Sequence, residues 1–104
     1  MLDWNYTKEI YQTELSQYKK EVNKITKRQP LYQLEHYEKR GKGKYSLDHM
    51  ISVVYGFRNK IEPEIIGNIC NLRYLPTKAN ISKRDYLTKE SFDVLAYMIE
   101  LEMI

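Results

Sequence analysis

Apolar residues recur with helical spacing at both ends of the chain and gather into short runs in the middle. Tyr11, Leu15, Tyr18, Val22 and Ile25 alternate between spacings of four and three, which predicts a helix with one apolar stripe. Lys19, Lys20, Glu21, Asn23 and Lys24 occupy the rest of that helix surface, and Pro30 ends it, because the residue before a proline avoids helical geometry. A stripe of about two heptads is too short to define a coiled coil. Two uses of it stay open: packing on the rest of the same domain, or a homodimer interface. A second helical stretch is predicted from Leu31 to Lys39, with Leu31, Leu34 and Tyr37 inward. It ends in Arg40-Gly41-Lys42-Gly43-Lys44, where two glycines break the helix and three cations project from a turn.

The middle of the chain reads differently. Residues 45–54 are strand-like, followed by a loop centred on Gly56 to Pro63 and a short turn or helix over Glu64 to Ile66. Gly67 separates this from a second apolar stretch, Asn68 to Leu75. Pro76 punctuates, and Thr77 is placed to cap a short helix through Lys83. Thr88 then caps a last helix, with Phe92, Leu95, Ile99 and Met103 on its apolar face. The order is helix, helix, strand, long loop, strand, helix, helix. It predicts an α+β fold whose centre is a strand–loop–strand–helix unit.

Composition narrows the function classes. At 104 residues the chain forms a single domain, and 42% hydrophobic with 30% charged residues is a globular composition. The formal net charge is +3, unevenly spread: residues 1–44 carry 10 Lys/Arg against 6 Asp/Glu, and 45–85 carry 6 against 4. Residues 86–104 reverse the sign, with Lys89 against Glu90, Asp93, Glu100 and Glu102. A basic body with an acidic tail suits a polyanion partner and a C-terminal packing helix. Cys70 is the single cysteine, which excludes an intrachain disulfide and a cysteine-based zinc cluster; it reads as a small buried hydrophobe. The start of the chain lacks a signal-peptide pattern, and no apolar run reaches the ~18–20 residues that span a bilayer. These features predict a cytoplasmic protein with no membrane association.

Candidate chemistry lies in the centre. Asp48-His49 falls on the first predicted strand, Asn71 near the second, Asn80 nine residues later and Lys83 three beyond it. Phosphodiester hydrolysis needs a base for water and a divalent cation for the developing charge. His49 is the candidate base, because imidazole titrates near neutrality and His36 lies in the preceding charged stretch. Asp48 is a hard oxygen donor suited to Mg²⁺ or Mn²⁺, and an Asn carbonyl oxygen is a weaker one. Neighbouring strand residues point to opposite faces, so Asp48 and His49 share a site only if the strand twists or ends there. Arg58, Lys60, Arg73, Lys78, Lys83 and Arg84 surround the motif as candidate DNA-phosphate contacts. Tyr45, Tyr55, Tyr74 and Tyr86 read as packing residues.

Asp48-His49, Asn71-Leu72-Arg73-Tyr74-Leu75 and Asn80 with Lys83 resemble the HNH endonuclease signature, Asp-His … Asn-Leu-x-x-Leu … Asn-x-x-Lys. The likeness covers residues 45–85, and Pro63 ahead of Ile65-Ile66-Gly67 is similar to phage and mobile-element members. The resemblance implies a ββα-metal core over 45–85, a helical N-terminal extension over 1–44 and a packing helix over 86–104. It implies Asp48 and Asn80 as ligands of one Mg²⁺ or Mn²⁺, His49 as general base and Asn71 as the residue holding the base in place. Asn80 makes it the HNN variant. Arg84 stands where a zinc-binding member has a further His, and Pro76 and Ala79 where relatives carry zinc-staple cysteines, so no structural zinc is expected. The implied activity is DNA phosphodiester hydrolysis, in the host cytoplasm if phage-encoded. The alternatives are a dimeric structure-specific junction or branch nuclease, and a catalytically silent DNA-binding protein of the same fold.

Overall fold

The computed structural model describes residues 7–41, 44–83 and 87–104. Among these, five α-helices and a two-stranded antiparallel sheet form a mixed α+β domain. Helix α1 spans Lys8–Lys27, and Thr7 caps it by accepting from the Ile10 N–H at 3.2 Å. Glu9 in its first turn and Lys24 and Lys27 in its last complement the helix dipole. The predicted stripe is used inside the domain, where α1 packs on α2 (Val53–Arg58) and α3 (Pro63–Ile66). Val22 is fully buried with Ile51, Ile66 and Met98, and Tyr18, Val53 and Leu95 border that cluster. The Tyr18 hydroxyl donates to Ile61 O at 2.8 Å, and burial, with Glu62 and Glu64 nearby, pushes its pKa up to about 12.

Several expectations are corrected. Residues 31–39 do not form one helix; Leu31–Gln33 and Tyr37–Lys39 are separate 3-10 turns. Leu34 is extended and His36 has φ +68°, so the chain changes direction between them. Nine residues whose apolar members are only half-buried gain too little from packing to offset helix nucleation. His36, expected on a helix surface, instead stacks on Tyr45 with centroids 4.7 Å apart. Of the basic glycine turn, Lys42 and Gly43 lie outside the described residues, while Arg40 packs over the Tyr37 ring at 3.7 Å.

The strand expected over 45–54 is β1, Tyr45–His49, and stops there. Ser52 then caps α2 by accepting from Tyr55 N–H at 3.0 Å, so the segment expected as a loop begins as a helix. Gly56 lets α2 approach its neighbours: a Cβ there would lie 2.5 Å from the Tyr18 hydroxyl and 2.6 Å from Ile66 Cγ1. Gly56→Ala is therefore expected to destabilise by about 1–3 kcal/mol, the usual cost of overpacking. A thermal melt unchanged to within a degree would show that α2 simply shifts aside.

The second apolar stretch divides into a 3-10 turn, Ile69–Asn71, and strand β2, Leu72–Pro76. β2 pairs with β1 so that Asp48 lies opposite Arg73 and His49 opposite Leu72. Helix α4, Thr77–Lys83, follows directly and packs on both strands. Thr77 is itself helical, with its N–H bonded to Lys44 O at 2.8 Å, rather than a cap. Helix α5, Lys89–Glu100, begins at Thr88, which forms a reciprocal capping box with Ser91. Its buried face is the expected one only in part: Leu95 and Met103 pack against the core with Val94, Ser91 and Met98 are buried, and Phe92 and Ile99 are more than half exposed. Ser91 Oγ donates to Met50 O, which anchors α5 on the turn just after His49. Among the described residues no helix is long and apolar enough to cross a membrane.

Candidate functional site

The end of β1 is where the candidate residues converge. After His49 the chain bends, and Met50 N–H bonds Asn71 O at 2.8 Å. Strand alternation therefore ceases to hold at that point, and Asp48 and His49 line one pocket. This cavity, about 220 Å³ in volume, is walled by β1, the start of α2, α4 and Lys19 of α1. Of the sequence-predicted residues, Asp48, His49, Asn80 and Lys83 line it. Asn71, Arg73, Lys78, Arg58 and Lys60 do not, and Arg84 and Tyr86 lie outside the described residues.

Asp48 is 4% exposed and holds two cations. Arg73 Nε donates to its Oδ2 and Lys83 Nζ to its Oδ1, each at 2.9 Å. The first pair follows from strand register and the second from α4 folding over the sheet. Lys83 also donates to His49 O at 2.8 Å, so its buried ammonium ties α4 to the last residue of β1. Both cations, expected on DNA phosphates, are thus engaged with a carboxylate inside the protein. Lys78 and Lys60 are exposed, and Arg58 donates to the Tyr11 hydroxyl at 3.2 Å.

Asn80 points its amide into β1. Its Nδ2 donates to Ser46 Oγ at 3.0 Å and to Leu47 O at 3.1 Å. A carbonyl only accepts, so Leu47 O takes the amide nitrogen and not Oδ1. Asn71 is fully buried and does different work. Its Oδ1 accepts from Ile51 N–H at 2.7 Å, and its Nδ2 donates to Ile51 O at 3.0 Å and Ile66 O at 2.9 Å. It thereby closes the long insertion between the strands, directly behind the His49–Met50 bend.

His49 has a partner that the sequence reading missed. Its Nε2 lies 3.0 Å from Thr26 Oγ1 on α1, a residue only 4% exposed. Thr26 and Lys19 sit four residues after and three before the buried Val22, on one face of α1. A hydroxyl continuing an apolar stripe was the available signal. Burial lowers the His49 pKa from its ordinary 6.5, the Asp48 carboxylate opposes that, and Lys83 adds to it. The imidazole is therefore neutral at pH 7, as a proton acceptor must be.

This sets a pH dependence. The unfolded chain protonates His49 at about 6.5 and the folded chain only at lower pH. The neutral ring's contribution is complete above the unfolded value and is lost as pH falls towards the folded one. Urea midpoints of the wild type and His49→Gln, compared between about pH 5 and 7.5, are expected to diverge in that acidic window. Parallel profiles would contradict the burial argument.

The donor chemistry fits a hard divalent cation in part. Asp48 and Asn80, each with a side-chain oxygen, both line the pocket, and such ions commonly take one or two protein ligands and fill the rest with water. Among the described residues no three or more His, Cys, Asp or Glu side chains come together in a group that could hold a metal ion. Lys83 already stands on Asp48 Oδ1. Comparison of the chain with protein-family models, curated proteins and solved structures gives no match.

Proposed function

We propose that the chain is a metal-dependent nuclease of the HNH type, hydrolysing DNA phosphodiester bonds, with β1, β2 and α4 as its ββα-metal core. One observation carries this reading. A carboxylate, a neutral imidazole, an amide and an ammonium, drawn from residues 48 to 83, share a single pocket of about 220 Å³. The space admits a phosphate group and water, and the groups are those that phosphodiester hydrolysis requires.

With Nε2 tied to Thr26, Nδ1 is the nitrogen of His49 left to accept a proton from water. That role requires the tautomer in which Nε2–H donates to Thr26 Oγ1. The activated water attacks phosphorus in line, and the bond to the 3′-oxygen breaks. A Mg²⁺ or Mn²⁺ ion on Asp48 and Asn80 supplies, when bound, positive charge for the phosphate and the leaving oxygen. Asp48 is held for this by Arg73, and Asn80 by its bonds to Ser46 and Leu47. Asn71 keeps the bend after His49 in shape. Lys19 on the pocket wall is the cation best placed to meet a bound phosphate, and the exposed Lys78 and Lys60 would engage the backbone further out.

The test is cleavage of supercoiled plasmid by the purified chain with Mg²⁺ or Mn²⁺, against the same reaction in EDTA. Loss of the general base is expected to lower the rate by about 10²–10⁴-fold in His49→Ala, with the melting transition retained. Equal cutting by the two proteins, or equal cutting in EDTA, would remove the reading.

A further inference from the structure

The geometry points to Lys83 as a resident competitor for the metal: its ammonium holds Asp48 Oδ1, and a divalent cation must compete with it for that oxygen. This rests on the proposed nuclease reading only in taking a divalent ion as the visitor to Asp48. Lys83 Nζ lies 2.9 Å from Oδ1, and its side chain is as buried as the carboxylate, each 5% exposed. An ammonium and a divalent cation at contact distance on one carboxylate oxygen repel each other strongly, so each weakens the other's hold on it.

Displacement is physically accessible for three reasons. Arg73 stays on Oδ2 at 2.9 Å, so the carboxylate keeps its orientation when Oδ1 changes partner. Lys83 keeps a second acceptor, His49 O at 2.8 Å, so it is not left without a hydrogen bond. Lys83 lines the open pocket, and its flexible four-carbon stem lets the ammonium turn towards water or a bound anion there. The same contact stabilises the fold, because a buried carboxylate is costly without a paired charge. Lys83 thus stabilises the buried carboxylate and sets how much ion is needed to compete for it.

The experiment is calorimetric titration of MnCl₂ into the full chain without nucleic acid, comparing wild type, Lys83→Met and Asp48→Asn. Lys83→Met is expected to bind Mn²⁺ at least about tenfold more tightly than wild type, and Asp48→Asn to bind none. Equal or weaker binding by Lys83→Met overturns the inference, as does retained binding by Asp48→Asn or no binding by any of the three. A second measurement needs no variant and decides the matter if Lys83→Met does not fold. Brief acetylation of the wild type, read by mass spectrometry against the exposed Lys8, is expected to modify Lys83 several-fold faster with Mn²⁺ present. An unchanged Lys83 rate overturns the inference. These readouts contain no substrate, so absent plasmid cleavage with competition intact would sink the nuclease reading alone.

Discussion

Asn71→Leu is expected to destabilise the domain by about 3–5 kcal/mol, enough to unfold much of it at 37 °C if its stability is near the lower end of the usual range. Leucine keeps the branched skeleton of Asn71 but is bulkier, so it leaves no cavity and the loss is polar, with some overpacking added. Three backbone groups lose their partner at once: Ile51 N–H, Ile51 O and Ile66 O. Each buried, unsatisfied group costs about 1–3 kcal/mol, and Ile51 and Ile66 are fully buried, so water does not replace what is lost. Asn71→Asp is not expected to rescue: its carboxylate still accepts from Ile51 N–H but faces two carbonyl oxygens with no hydrogen to donate. Urea unfolding measures both. A loss below about 1 kcal/mol in Asn71→Leu would mean that the insertion between the strands relaxes freely.

Asp48→Ala is expected to be nearly as damaging, by about 3–5 kcal/mol, because it leaves buried positive charge without its counter-ion. Lys83 and Arg73 lie at 5% and 23% side-chain exposure, so the lysine bears most of the cost. The damage is expected to be non-additive. In Asp48→Ala combined with Lys83→Met no ammonium is stranded, and the pair should recover about 1–3 kcal/mol relative to the sum of the single changes. Chemical denaturation of the four proteins in this cycle gives the coupling directly. Strict additivity would show that the Lys83–Asp48 contact adds no stability.

Much of the fold was legible along the chain because it rests on local rules. The apolar stripe of α1, the cap at Thr88, Gly67 after Ile66 and the strand-like runs on either side of the insertion all follow from spacing and from residues with a single local preference. Where these signals failed, a tertiary contact had taken over. Residues 92–99 are apolar at nearly every position but one, so periodicity could not select the buried face of α5. What selects it is polar: Ser91 turns inward because Met50 O offers its hydroxyl a buried acceptor. Similarly, Ser52 starts α2 inside what reads as the end of a strand.

The candidate site divides the same way. The sequence grouped Asp48, His49, Asn71 and Asn80, with Lys83 three residues on, since order and spacing are properties of the chain. It also stated the condition for Asp48 and His49 to share a site, and β1 ends at His49 as that condition requires. It could not assign partners. Arg73 and Lys83 read as cations for DNA, and only strand register and the packing of α4 direct them onto Asp48. Thr26, 23 residues before His49, comes within 3.0 Å of its ring because α1 crosses behind the end of β1. Residue type and periodicity describe what a side chain is able to do. Which charge is satisfied, and which nitrogen of an imidazole is left for water, depends on distances between segments far apart in the chain, and folding alone sets those.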